Sequence, residues 1–163
     1  SEGVVRVVIL LVYMRLCCLS PDVKRLFSYH GAEHKTIFCY EHGKALTVEN
    51  VRPESRFHPR CGTSFLLVVV VVSILVNSVV RADNSFVRMG WHLLLLPVVV
   101  GISYEINRWC GLHDNWLSAA LSAPGKWLQH MTTNEPDDGM IECAIRAMEL
   151  VIPDEKGSDE WGR

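Results

Sequence analysis

Twenty consecutive residues between Arg60 and Arg81, CGTSFLLVVVVVSILVNSVV, carry no charge. A helix that crosses a bilayer needs about 20 predominantly apolar residues. Strands seldom exceed about 10, so length predicts a transmembrane helix here rather than a valine-rich strand. A second uncharged stretch runs from Met89 to Tyr104 and includes WHLLLLPVVVGISY. Trp91 and Tyr104 are placed for the two membrane interfaces. Pro97 and Gly101 inside it are tolerated in membrane helices, where neighbouring groups re-satisfy the freed backbone. A third segment, Val4 to Leu19, is interrupted by Arg6 and Arg15. Arginines near helix ends can snorkel to the interface, so a span is expected here too. A signal peptide fits less well: Arg15 breaks the apolar region and no small-x-small cleavage site follows.

The expected fold is therefore an all-α membrane protein with about three transmembrane helices. One membrane-embedded helical domain covers 1–152, with cytoplasmic segments 20–63 and 108–152 and a polar tail over 153–163. Orientation follows from basic residues, which stay on the cytoplasmic side. Lys24, Arg25, Lys35, Lys44, Arg52, Arg56 and Arg60 precede the valine-rich span, against Arg81 and Arg88 between the next two. A multi-pass protein of the plasma (inner) membrane is expected, with its N-terminal end outside. The chain opens on Ser1 rather than Met, so it is expected to begin partway through a longer protein. A formal charge of −2 gives no global attraction to nucleic acid. The six cysteines form no C-x-x-C pair and no even framework, which predicts free thiols in a reducing compartment.

Between the spans, Ser20-Pro21-Asp22 predicts a helix start, with Ser20 as cap and Pro21 in the first helical position. That helix is expected to reach about Glu41, where Gly43 can end it. Gly31 weakens it by about 1 kcal/mol relative to Ala, and could serve close backbone packing. Ala45-Leu46-Thr47-Val48 reads as a short β-like stretch, followed by turns around Pro53 and Pro59. After Arg108 come Trp109, Trp116 and Trp127, expected at the headgroup level. Ser122-Ala123-Pro124-Gly125 is expected to split that region into two amphipathic pieces. Asn134 to Asp138 should cap a last helix, with acids at its positive end. Ile141, Ile145, Met148 and Ile152 recur at helical spacing and need a packing partner.

The chemistry-bearing group is His30-Gly31-Ala32-Glu33-His34 with His58-Pro59-Arg60-Cys61. Residues four apart share a helix face, so His30 and His34 could meet one metal ion. The string also fits the H-x-x-E-H pattern of inverted zinc peptidases. Zinc takes imidazole and thiolate donors, and a catalytic site keeps one position for water. His58 and Cys61 are the expected further ligands, and Glu33 the expected general base. Glu105 could complete the metal shell as a distant acid; an ion pair with Arg108, three residues on, explains it equally simply. Glu41, His42 and Glu49 read as a solvated loop, and Asp137 and Asp138 as capping acids. His92, His113 and His130 stand alone, and Tyr29 has a packing explanation.

Four ordered motifs, YHGAEHKTIFCYE, LTVENVRPESRFHPRCGTSFLLVV, LLLLPVVVGISYEI and LSAPGKWLQHMTTNEPDDGMIECAI, resemble those of the YqhQ-like bacterial membrane proteins. That domain family is of unknown function, and its members are often labelled metal-dependent enzymes. The resemblance runs from Glu2-Gly3 to about Ala147. It implies a membrane-embedded, cytoplasm-facing protein, a further N-terminal half, and a shared set of His30, Glu33, His34, His58 and Cys61. His42-Gly43 and Cys17-Cys18 are not part of that set. Two functions are then open. One is a membrane-bound zinc-dependent hydrolase-like enzyme. The other is an oligomeric scaffold or channel-like protein with a structural metal site and no catalysis. Ion transport past Glu105 and Asn107 is a weaker third. The lipid bilayer and further copies of the chain are the expected partners, and the substrate is unspecified.

Overall fold

A computed structural model describes residues 2–80, 84–113 and 115–154. Arg81 and most of the expected polar tail, from residue 155 on, lie outside the described residues. Every regular element among the described residues is an α-helix: α1 (Glu2–Cys17), α2 (Pro21–Glu41), α3 (Val48–Val51), α4 (Gly62–Val79), α5 (Ser85–Leu112), α6 (Trp116–Thr132) and α7 (Asp138–Glu149). Backbone contacts gather them into two compact units. One holds the described residues up to Leu10 together with Pro59–Lys126. The other holds Leu11–His58 and the described residues from Trp127 onward.

In the first unit α4 packs along α5. Val72 of α4 and Val99 and Ser103 of α5 are buried. The Ser103 hydroxyl donates to the Val99 carbonyl at 2.7 Å, so a polar group enters this interior with its hydrogen bond made. Asn84 starts α5 by accepting from the Phe86 amide at 2.8 Å. Pro97 sits within α5 without ending it. The outward faces stay apolar: Leu75, Val79, Leu93 and Leu94 are all exposed. Only 11% of the apolar window of α4 and 6% of that of α5 are buried. Both helices are long and apolar enough to cross a membrane. The expected N-terminal span differs. α1 has 16 residues and qualifies only when joined to α2, from which it is bent by 101°. The Arg-interrupted segment thus supplies at most part of a third crossing.

α6 corrects the expected break at Ser122–Gly125, because the helix runs through Pro124 unbroken. Gly125 has a reason of its own to be there: a Cβ on it would lie 2.6 Å from that of Ser64.

The second unit is built on α2, which packs against α3 and α7. Ala32, Cys39, Val51, Ile141 and Ile145 form the core, with Leu46, Val48, Met140 and Ala144 packed against it. Burial of an isoleucine of this kind contributes about 1.5–3 kcal/mol. The helical spacing of Ile141 and Ile145 therefore finds its partner within the chain. Asp137 caps α7 as expected, accepting from the Met140 amide at 2.8 Å.

Both ends of α2 follow local chemistry. Ser20 and Pro21 occupy the cap and first-turn positions, although the Ser20 side chain makes no capping bond. At the other end Gly43 has φ of 66°, the left-handed conformation that glycine adopts freely. Its amide bonds the Tyr40 carbonyl at 2.9 Å and that of Lys44 the Cys39 carbonyl at 3.0 Å. These paired bonds are a Schellman stop, so the chain reverses immediately after α2. The β-like reading of 45–48 fails for the same reason. Thr47 is extended and caps the single turn α3, and no strand partner lies among the described residues.

Gly31 serves a close approach. The Asn134 carbonyl occupies the place a Cβ would take there. Asn134 donates its amide to the Phe27 carbonyl at 2.9 Å and its side-chain nitrogen to that of Lys24 at 3.1 Å. Gly31→Ala should therefore lower stability by about 1–3 kcal/mol through overpacking. Helix propensity alone would raise it by about 1 kcal/mol. Thermal unfolding in mild detergent decides between the two, and a raised midpoint contradicts the packing argument.

Candidate metal centre

His30 and His34 project from the middle of α2, one turn apart. Their ring centroids are 4.3 Å apart at an interplanar angle of 64°. His34 is buried and His30 partly so. The Nδ1 atom of each meets a backbone carbonyl: Thr132 at 2.8 Å for His30 and Arg56 at 2.6 Å for His34. A carbonyl can only accept, so each Nδ1 carries the proton, and in the neutral ring the lone pair then resides on Nε2. Metal-ligating histidines are characteristically oriented by this kind of bond.

The two carbonyls are held in turn. Arg56 donates to the Thr133 carbonyl, pairs with Glu135 at 3.3 Å and lies over the Phe57 ring at 4.6 Å. Buried Gln129 clamps the backbone of His58 from both sides. It accepts from the His58 amide at 2.8 Å and donates to the His58 carbonyl at 2.7 Å. The end of α6 and the loop around 52–58 are thus fixed against each other and against α2. Lys35 adds a further tie, donating to the Arg52 carbonyl at 2.9 Å and pairing with Glu135 at 2.8 Å.

His58 lies beside the His30–His34 pair without joining it. Its ring lies 5.8 Å from that of His34 and 4.6 Å from that of Phe38. Its Nε2 faces the Glu41 carboxylate at 3.3 Å. Glu41 is consequently no idle loop residue. His42 also differs from that reading, since buried Glu54 bonds both it, at 3.1 Å, and Lys44, at 2.6 Å. The Lys44 hydrogen bond holds Glu54 below the usual carboxylate range, while burial pushes it the other way. The charges of Lys44 and His42 add to the lowering.

Glu33 is exposed on α2. Cys61, described within the other unit, is buried at the cap of α4, with Sγ 3.1 Å from the Thr63 hydroxyl. Glu105 lies on α5 with a side chain 68% exposed, and pairs with Arg108 at 3.8 Å. All six cysteines are free thiols. Gln129, Thr132 and Arg56 went unread as site residues in the sequence, and only the crowding of polar residues in QHMTTNE hinted at the first two.

A family model described as "Protein of unknown function (DUF1385)" matches residues 1–154. The uncharacterized protein YqhQ of Bacillus subtilis (strain 168) is 40% identical over 152 residues. That alignment covers 93% of this chain and 48% of the relative, so the chain spans about half the relative's length. No solved structure matches.

The Glu54 cluster generates a pH prediction. A carboxylate lowered on folding stabilises fully above its unfolded value of about 4.3 and loses that contribution as pH falls through the folded value. The wild type should therefore be more stable than Glu54→Gln at pH 7. The gap between their unfolding midpoints should close below about pH 4. A gap that stays constant with pH would exclude the ion pair as its cause.

Proposed function

The chain belongs to the DUF1385 family of proteins of unknown function, and from that premise we propose that it is a membrane-embedded zinc-dependent protein of the hydrolase type. In this reading His30 and His34 hold the ion through Nε2, with Cys61 as the thiolate donor. The observation that carries it is the pair of imidazoles, one turn apart, each with Nδ1 committed to a backbone carbonyl. Cys61 follows His58 by three residues in the chain. Two imidazoles and a thiolate suit a borderline metal, and three protein donors leave a fourth position open. The chemistry a zinc ion supplies in such a centre is Lewis-acid activation of water. Glu33, next to His34, is the residue assigned to accept the proton. His58, held against Glu41, is the residue assigned to orient a substrate or carry a second proton.

The membrane part of the proposal rests on the uncovered apolar faces of α4 and α5. Large apolar surfaces of this kind are foreign to water-exposed monomers. Lipid and further copies of the chain are the partners that would cover them. The surplus of lysine and arginine over 20–63 supports a cytoplasm-facing centre in the plasma membrane.

One observation favours a second reading, a closed structural site in a non-catalytic scaffold. The His58 ring lies 5.8 Å from that of His34, and a shift of this ring toward the pair would supply a fourth donor. The two readings separate by coordination. Elemental analysis of protein purified in mild detergent should find about one zinc per chain, lost in His34→Ala and in Cys61→Ala. X-ray absorption should show three protein donors and one oxygen scatterer. Glu33→Gln should keep the metal and lower turnover of a hydrolysable test substrate by about 100-fold or more. Four protein donors, with unfolding on chelation, would establish the structural reading instead. Absence of metal defeats both.

A further inference from the structure

Three imidazoles share the interior of the unit built on α2, and they are bonded in two different ways. His30 and His34 each commit Nδ1 to a backbone carbonyl, at 2.8 Å and 2.6 Å. That bond puts the proton on Nδ1 and leaves a lone pair on Nε2 of the neutral ring. His58 is bonded the other way round. Its Nε2 lies 3.3 Å from a carboxylate oxygen of Glu41. An ionised carboxylate only accepts, so this nitrogen carries a proton and offers no lone pair to an ion.

His58 stands between two destinations. Glu41 follows His34 by seven residues, which is about 10 Å along α2, and Phe38 lies between them one turn from each. All three residues share one face of the helix. The His58 ring is 4.6 Å from that of Phe38 and 5.8 Å from that of His34. It is buried, with 3% of its surface exposed. Gln129 bonds the His58 amide at 2.8 Å and the His58 carbonyl at 2.7 Å. Loss of the Glu41 carboxylate would therefore leave the loop in place and free the ring alone. A hop between staggered χ1 wells carries the far nitrogen of such a ring through several ångströms, and zinc accepts imidazole as a fourth donor.

We propose that Glu41 is a positioning residue that holds His58 away from the His30–His34 pair and so keeps the fourth coordination position open. The inference rests on the zinc reading above and deepens it, since the same rings would make a closed site once Glu41 is removed. Glu41 touches neither the ion nor a substrate in this role and acts through His58. What separates a reactive centre from a structural one is then a single carboxylate two turns along α2.

The test uses the full chain in mild detergent, with isotope-labelled histidine and a magnetically active cadmium isotope in place of zinc. One-bond nitrogen–cadmium couplings count the imidazoles on the ion. The wild type should show two coupled rings and Glu41→Ala three, with a return to two in Glu41→Ala/His58→Ala. His58→Ala alone should stay at two. Competition with a chelator supplies an independent readout. Glu41→Ala should bind zinc about tenfold or more tightly, because it gains a donor. An outer residue that merely supports the ligands would instead weaken binding by about 10–100-fold when removed. Glu41 closes the last turn of α2, where an acid opposes the helix dipole, so its removal spares the fold. Three coupled rings in the wild type, two in Glu41→Ala, or weaker zinc binding by that variant each overturns the proposal and leaves the metal centre standing. A wild type that binds neither cadmium nor zinc overturns the zinc reading together with this one.

Discussion

The close approach of residues 132–135 to α2 at Gly31 is the contact on which the histidine cluster depends. With no Cβ in the way, the Asn134 carbonyl seats directly on the helix. That seating places the Thr132 carbonyl on His30, the Thr133 carbonyl under Arg56 and Glu135 beside Lys35. Each of these contacts holds a backbone or a charge in position for the next. The helix tolerates a glycine at its centre, at a cost of about 1 kcal/mol in propensity, because the whole arrangement is assembled around the gap it leaves.

Much of this was legible from residue order, and the exceptions have physical causes. Run length identified α4 and α5, and Pro21 and Gly43 bounded α2 closely. Asp137 announced α7. The pairing of His30 and His34 on one face of α2 was visible because helical spacing is simple arithmetic. Gln129 and Arg56 were hidden because they act on main-chain groups, which leave no mark on composition. Pro124 misled because proline is read as a breaker, whereas here the helix continues through it and Gly125 answers to Ser64. Ala45–Val48 misled because propensity over four residues is weak beside the stop at Gly43. The expected N-terminal span is met only in part, because α1 is too short to cross alone and counts toward a third crossing only together with α2, across a bend of 101°.

The two units show opposite solutions to burial. The one built on α2 encloses a small core and satisfies its buried polar groups with neighbouring carbonyls and carboxylates. Lys35, Thr36, Glu54 and Gln129 are all buried with hydrogen bonds made. The α4–α5 pair turns most of its apolar side chains outward and keeps Ser64 and Ser103 inside. Surfaces of that kind are stable only against hydrocarbon or against one another.

Gln129 grips the peptide groups of residue 58, not its imidazole. The course of the loop is therefore set independently of what that position displays. Exchanging the imidazole removes neither of these two main-chain bonds. The display at this position is in that sense modular, with the amide clasp acting as a fixed socket.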